Sequence, residues 1–308
     1  MTASRGVLAA LRTSSITRGG WRRHGELDHG AEIAPPGGGA IEAPPGSLRE
    51  GIADLHLGLR QWPAWWLLTW YALRSQYRRT YLGPWWITVQ QVIFVAGLSL
   101  LFGVLFQQDL STFVPYVATG YIAFTWMIGM LTGGATCILD NGAAIRTAPG
   151  PLSIYPLRTV ASATIQFAHD ALVIVAVVVA FDVPVGLSLL YLPVACGLIV
   201  INGLAIGLWL GPLCVRYRDV GQIITSLARV LFFFTPVFWV ATNLTVGQLA
   251  VLSGWNPLTY LLQVFRAPLL GGSPSTFVLA VSVGLTLLNV ILGVWYFSRT
   301  RPRLAYWL

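Results

Sequence analysis

Lysine is absent from this chain: all 19 basic residues among its 308 are arginine. A nucleotide-cradling loop of the form G-x-x-x-x-G-K-[ST] sets a lysine on the β- and γ-phosphates, so no such loop exists here and the chain is not an ATPase of that class. Charge of either sign is scarce, at 10% of residues against about 25% in soluble domains. Only three cysteines occur, Cys137, Cys196 and Cys214, in apolar segments or at their edges and without paired or metal-ligand spacing. That argues against a disulfide framework. Histidine is also rare, and three of the four lie early in the chain, at His24, His29 and His56. With no H-E-x-x-H, no nucleophile elbow and no clustered carboxylates, an enzyme of its own is not expected.

What remains is apolar. Hydrophobic residues make up 56% of the chain, and mean hydropathy is +0.69. A water-soluble fold of this length has no interior large enough for that surface, so lipid is the expected solvent. Thirteen tryptophans and eleven tyrosines fit the aromatic belts of membrane–water interfaces. The net charge of +8 raises the question of a nucleic-acid partner. Such proteins gather their charge on one soluble face, whereas these arginines punctuate hydrophobic segments, and no nucleic-acid partner is expected.

Residues 1–50 read as a disordered cytoplasmic leader, with the run APPGGGA, Pro44–Pro45 and six arginines. No uninterrupted apolar core follows the early arginines, which disfavours a signal peptide. Within 51–84, the apolar run after Pro63 spans about ten residues, half of the roughly 20 that a crossing needs. Trp66, Trp70, Leu73 and Tyr77 repeat at helical spacing, with Arg74, Arg78 and Arg79 crowded at the end. The pattern predicts an amphipathic helix in the cytoplasmic interface, or else an extension of the first span.

Six long apolar segments follow: 85–106, 114–138, 159–181, 189–211, 222–241 and 276–298. The fold class is therefore all-α, a polytopic membrane protein with six transmembrane helices over 85–298 and a tail at 299–308. Arginine placement orients it. With the N-terminus inside, regions 1–84, 139–158, 212–221 and 299–308 hold 10, 2, 2 and 3 arginines, or 17 of 19. Only Arg266 falls outside, where Asp109 and Asp182 also lie, so both termini are predicted to be cytoplasmic.

Several residues stand out as functional candidates. The outer segment 242–275 is apolar but cut by Pro257 and Pro268, so it either dips into the membrane and returns, against protein or a water-filled cavity, or rests on headgroups. Gly203, Gly207 and Gly211 repeat every four residues, suited to close helix packing within the chain or at a dimer seam. Gln166, His169 and Asp170 sit inside the third span and Arg229 inside the fifth. They are read as a proton relay or as a buried polar cluster, with Asp170 and Arg229 as a possible pair. The fifth span ends in LFFFTPVFW, where Pro236 must break or kink the helix. Phe232, Phe233 and Phe234 cannot all face one way, so they line a pore that suits sugar rings or face lipid.

The run Tyr77-Arg78-Arg79-Thr80-Tyr81-Leu82-Gly83-Pro84-Trp85-Trp86 resembles the approach to the first span in permease subunits of type-2 ABC exporters. More narrowly it is similar to the exporters of O-antigen, capsule, teichoic acid and galactan chains. Arg216-Tyr217-Arg218-Asp219-Val220 resembles that family's loop after span four, and Thr235-Pro236-Val237-Phe238-Trp239 its fifth-span motif. Asn256-Pro257-Leu258 with Phe265-Arg266 resembles its outer gate segment.

The resemblance implies a bacterial inner-membrane homodimer that works with two copies of a separate ABC ATPase, which binds the ATP and magnesium; this chain binds no cofactor. It implies short re-entrant gate helices, with Trp255, Asn256, Pro257, Tyr260, Phe265 and Arg266 as the outer gate. It also implies a coupling helix within 139–158, where Asp140, Arg146 and Arg158 meet the ATPase. The cargo that the resemblance implies is a lipid-linked polysaccharide, whose pyrophosphate Arg74, Arg78 and Arg79 would meet, since arginine binds phosphate bidentately. The polymer then slides past Trp85, Trp86, Phe94, Phe232, Phe233, Phe234, Phe238 and Trp239. Rival readings are a type-2 ABC exporter of a drug or lipid, and a proton-coupled secondary transporter using Asp170.

Overall fold

The structure, a computed structural model, describes residues 46–76, 81, 83, 85–147, 150–239 and 253–308. Every regular element among them is helical, as expected. Helix α1 (Leu48–Arg60) starts on Ser47, whose hydroxyl accepts the Glu50 amide. It buries Gly51, Asp54 and Gly58 and leaves Leu48, Ile52, Leu57 and Leu59 half exposed. An amphipathic helix with its leucines outward suits the edge of a bilayer.

The chain turns at Gln61 into α2 (Trp62–Gln76). Two helices thus stand where the periodicity predicts one. The packing face of α2 also differs: Thr69 and Leu73 are buried against the bundle, while Trp66 and Trp70 point outward. Tyr77 lies outside the described residues, as do Arg78, Arg79 and most of the leader.

Among the described residues, five helices are long and apolar enough to cross a membrane. They include α3 (Trp85–Leu105), α4 (Leu110–Thr136) and, after the short α5 (Gly142–Thr147), α6 (Ile154–Ala180). The other two are α7 (Leu192–Arg216), entered through a turn at Leu187–Tyr191, and α10 (Thr276–Thr300), prolonged through Arg301–Arg303 into α11 (Leu304–Trp307). The predicted fifth span is α8 (Arg218–Phe234), only 17 residues long. At 1.5 Å per residue that is about 26 Å, short of a core of roughly 30 Å. It stops where Pro236 disfavours a helical conformation at Thr235, which is extended (φ −97°, ψ 135°). Helix α9 (Pro257–Leu269) follows within the segment 242–275.

Helix α4 is the most deeply buried crossing and packs on α3, α6, α7, α8 and α9. Lipid is as apolar as leucine, so close packing rather than exclusion from water must hold these helices together. Glycine supplies it: a Cβ on Gly134 would lie 3.2 Å from the Gly207 Cα, and one on Gly211 would lie 2.9 Å from the Cys137 sulfur. The glycine ladder of α7 therefore serves packing inside one chain. Arginines gather at one end of the bundle, with α1, α5 and residues 301–308; Asp109, Asp182 and α9 mark the arginine-poor end.

Candidate functional site

At the arginine-poor end two motifs distant in sequence are locked together. Arg266, in α9, is 5% exposed. It donates to the carbonyls of Pro236 (2.7 Å) and Val237 (3.2 Å), and its guanidinium lies 3.8 Å from the Tyr116 ring centre. Tyr116 in turn donates to the carbonyls of Trp239 (3.0 Å) and Pro236 (3.3 Å). Asn256 serves two elements: its oxygen accepts the Leu258 amide and caps α9, and its amide donates to the Thr235 hydroxyl at 2.7 Å. The broken end of α8 is thereby stapled to α9 and α4. Carbonyls freed by the proline break find donors within protein, as backbone at membrane depth requires.

Of the residues expected to form an outer gate, Trp255 is 90% exposed and Pro257 is exposed. Tyr260 is partly buried and donates to the Gly254 carbonyl (3.1 Å). Phe265 is buried edge-on against Trp126 and Phe167. Arg266 and Phe265 are thus structural supports of this end rather than lining residues.

Toward mid-bundle, aromatic rings from α3, α4 and α8 form a file. Phe94 stacks on Tyr121 at 4.2 Å, and Phe232 meets Phe94, Tyr121 and Phe124 edge-on at 5.5–6.3 Å. Phe232 continues to Phe238 (5.3 Å), which reaches Phe102 (4.5 Å). An open groove of about 450 Å³ runs beside this file. Its walls include Phe94, Tyr121, Thr125, Thr225, Arg229 and Phe232.

The threonine hydroxyls of 125, 132 and 225 donate to carbonyls of their own helices (2.8–2.9 Å). Their oxygen lone pairs stay available as acceptors. Ring faces, hydroxyl acceptors and one guanidinium suit a hydroxylated, C–H-faced cargo. Phe233 and Phe234 point outward, Phe238 is buried beneath the groove, and Trp239 donates to the Phe233 carbonyl (3.1 Å). Trp85 and Trp86 are exposed at the start of α3. Tyr121, Thr125 and Thr132 were not singled out by the sequence, although with Ile128 they repeat at helical spacing along α4.

The intramembrane polar residues do not form one cluster. Asp170 accepts from the Gln91 amide of α3 at 3.1 Å. Arg229 is not its partner but lies exposed on the groove. His169 contacts the Ile165 carbonyl (3.0 Å) of its own helix, and Gln166 borders a different cavity.

That second cavity, about 280 Å³, lies at the arginine end and contains Asp140, Asn141, Arg158, Thr159 and Ser162. Arg158 donates to Asn141 Oδ1 at 2.8 Å. Asp140 and Arg146 are exposed, and Arg146 donates to the Leu308 carbonyl at 2.8 Å. Arg216 lies over the Tyr217 and Trp307 rings at 5.4 and 5.2 Å. Arg218 and Asp219 are exposed on the first turn of α8, where an acid faces the helix dipole favourably. Arg74 is exposed in the last turn of α2. Asp54, given no weight in the sequence, is the most heavily bonded acid among the described residues. It pairs with Arg301 at 2.6 Å and accepts the amides of Leu152 (3.2 Å) and Ser153 (3.0 Å).

Residues 63–270 match the family model described as ABC-2 type transporter. The chain is also similar to the O-antigen export system permease protein RfbA of Myxococcus xanthus, 23% identical over 196 residues, which cover 63% of this chain and 75% of that relative.

Proposed function

Since the chain belongs to the ABC-2 type transporter family, whose membrane subunits work with an ATPase on a separate chain, we propose that it exports a lipid-linked polysaccharide across the bacterial inner membrane. Two copies form the conduit, with two copies of an ABC ATPase on the cytoplasmic side. The arginine end faces the cytoplasm, by the arginine bias between the ends. The observation that carries the cargo reading is the groove of α3, α4 and α8. Its walls combine the stacked Phe94–Tyr121 pair and Phe232 with the hydroxyls of Thr125, Thr132 and Thr225 and the Arg229 guanidinium. The groove lies along α3 and α8, two helices that leave much of their surface uncovered. A second copy laid against them would close it into a channel. The similarity to an O-antigen export permease supports the same cargo class.

In this reading the pyrophosphate of the lipid carrier meets Arg74, Arg78 and Arg79 at the cytoplasmic interface. Glycan units then pass the aromatic file by many weak contacts, each loose enough to release. Asp140 and Arg146 present α5 to the ATPase, and ATP and magnesium stay on that partner.

A drug or lipid exporter is the second reading. A separate cavity of about 400 Å³, walled by Met127, Ile199, Trp209, Leu231 and Leu288, favours it. That cavity has no exposed charge among its lining residues, whereas the aromatic groove carries Arg229 and three threonines. Proton-coupled transport finds less support, because Asp170 lines neither the groove nor the other two cavities.

Photo-crosslinking tests the cargo reading. Benzoylphenylalanine at Phe94 should capture glycan during ATP-driven turnover, whereas the same group at Ile291, exposed on α10 away from the groove, should not. Equal capture at both positions, or none at Phe94, contradicts it.

A further inference from the structure

Helix α1 is held to the bundle in an unusual way. Its packing face is Gly51, Asp54 and Gly58, so apart from half-buried Leu55 it offers no apolar side chain to the protein. Its larger aliphatic residues face outward. The glycines bring the backbone into contact: a Cβ on Gly51 would overlap Ser298, and one on Gly58 would overlap Ser153. What fixes α1 in place is therefore polar.

The Asp54 side chain is 0% exposed and receives the Arg301 Nε–H at 2.6 Å with the amides of Leu152 and Ser153. The Ser153 hydroxyl donates back to the Asp54 carbonyl at 2.9 Å. A buried carboxylate is tolerated only when its oxygens are satisfied in this way, and such charge-assisted bonds are strong.

The path continues beyond Arg301. Leu304 is buried among Ile138, Ile145 and Phe297, which joins residues 301–308 to α5. The Leu308 carbonyl accepts from Arg146 of α5, and the Leu308 side chain fills the space beside Gly142. Four elements from three distant parts of the sequence thus form one bonded chain: α1, α5 with the start of α6, and residues 301–308.

We propose that Asp54 and Arg301 are positioning residues that lock α1, α5 and the end of α10 into one rigid block. A push delivered at α1 or α5 then reaches α6 and α10 together. This rests on the ATP-driven reading above, in which the ATPase contacts α5. Without the lock α1 pivots on its glycine face, and part of each ATPase stroke moves α1 alone.

The test uses the full permease with its ATPase in lipid nanodiscs and proteoliposomes. The native cysteines are replaced by serine, and spin labels are placed at exposed positions through His56→Cys in α1 and Ala144→Cys in α5. The expected wild-type result is one narrow α1–α5 distance, the same with and without ATP. Asp54→Asn and Arg301→Gln should broaden it and lower the glycan exported per ATP hydrolysed by roughly tenfold, a typical size for a lost coupling, while hydrolysis continues. Arg301→Lys keeps the charge and should recover part of the ratio. Unchanged distance distributions and export ratios in both neutral variants overturn the proposal. If those variants do not assemble, Arg301→Lys carries the test, and a wild-type distribution and ratio there overturns it. A wild-type complex that neither hydrolyses ATP nor exports glycan defeats the ATP-driven reading instead. The label distances then still decide whether the block is rigid.

Discussion

The guanidinium of Arg266 lies 3.8 Å from the centre of the Tyr116 ring while donating to the carbonyls of Pro236 and Val237. One side chain from α9 thereby closes the break in the α8 segment and anchors both to α4. Among the described residues no carboxylate pairs with it. Carbonyl dipoles and the electron-rich ring face meet the charge instead.

Replacing Arg266 by methionine should destabilise the permease by about 2–4 kcal/mol, since it strips the Val237 carbonyl of its donor and leaves the Pro236 carbonyl only the longer bond from Tyr116. Lysine, which lacks the planar fork, should restore only part of this. Thermal unfolding in detergent reads the difference. A methionine variant as stable as wild type would show that the staple contributes nothing.

Gly120 faces the same guanidinium, and a Cβ there would overlap it. Gly120→Ala should therefore destabilise by a similar mechanism, and its effect should shrink in an Arg266→Met background. Additive effects in the double variant would place the two residues in separate interactions.

In the groove, Arg229→Ala and Thr225→Leu should lower glycan export several-fold without shifting thermal stability, because both positions are exposed. Phe232→Ala should lower both, since that ring contacts Phe94, Tyr121, Phe124 and Phe238. Export rates and melting temperatures, measured on the same preparations, separate these outcomes. Unaltered export in the first two variants would remove the groove from the cargo path.

Asp170→Asn keeps an acceptor for Gln91 and should leave ATP-driven export within about twofold of wild type, the effect of a surrogate hydrogen bond. Abolished transport with normal folding would instead make the carboxylate a proton site.

Asp109 caps α4, accepting the Ser111 hydroxyl at 2.5 Å and the Ser111 amide at 3.0 Å. These bonds hold its carboxyl below the usual aspartate value. A depressed folded value means the stabilisation is fully present above the unfolded titration and is lost as pH falls through the folded one. Asp109→Asn, a cap that does not titrate, should melt with a weaker pH dependence than wild type at acidic pH. Parallel curves for the two proteins would contradict this.

The crossing helices were legible because hydropathy over 20 or so residues is a strong signal and lipid leaves the backbone few alternatives. The end of α8 was less so. Residues 222–241 are largely apolar to their end, with Arg229 the one charge, and only the effect of Pro236 on Thr235 reveals that the helix stops at Phe234. The motifs around Thr235, Asn256 and Arg266 were visible as separate runs. That they bond to one another is a matter of three dimensions, 21 residues apart in one case and 30 in another. Asp170 illustrates a different gap: an intramembrane acid invites pairing with the intramembrane arginine, yet its neighbour proved to be Gln91, an uncharged residue with no marking in the sequence. Asp54 was passed over for the converse reason, since an acid in a polar stretch looks solvated until its burial is known.

The most direct test of the account is glycan translocation by the purified permease and its ATPase in proteoliposomes loaded with lipid-linked polysaccharide. The account predicts that glycan becomes accessible on the far side only with hydrolysable ATP, and that the stable assembly contains two copies of each chain. Translocation that proceeds without ATP, driven by a proton gradient across the same vesicles, would contradict it.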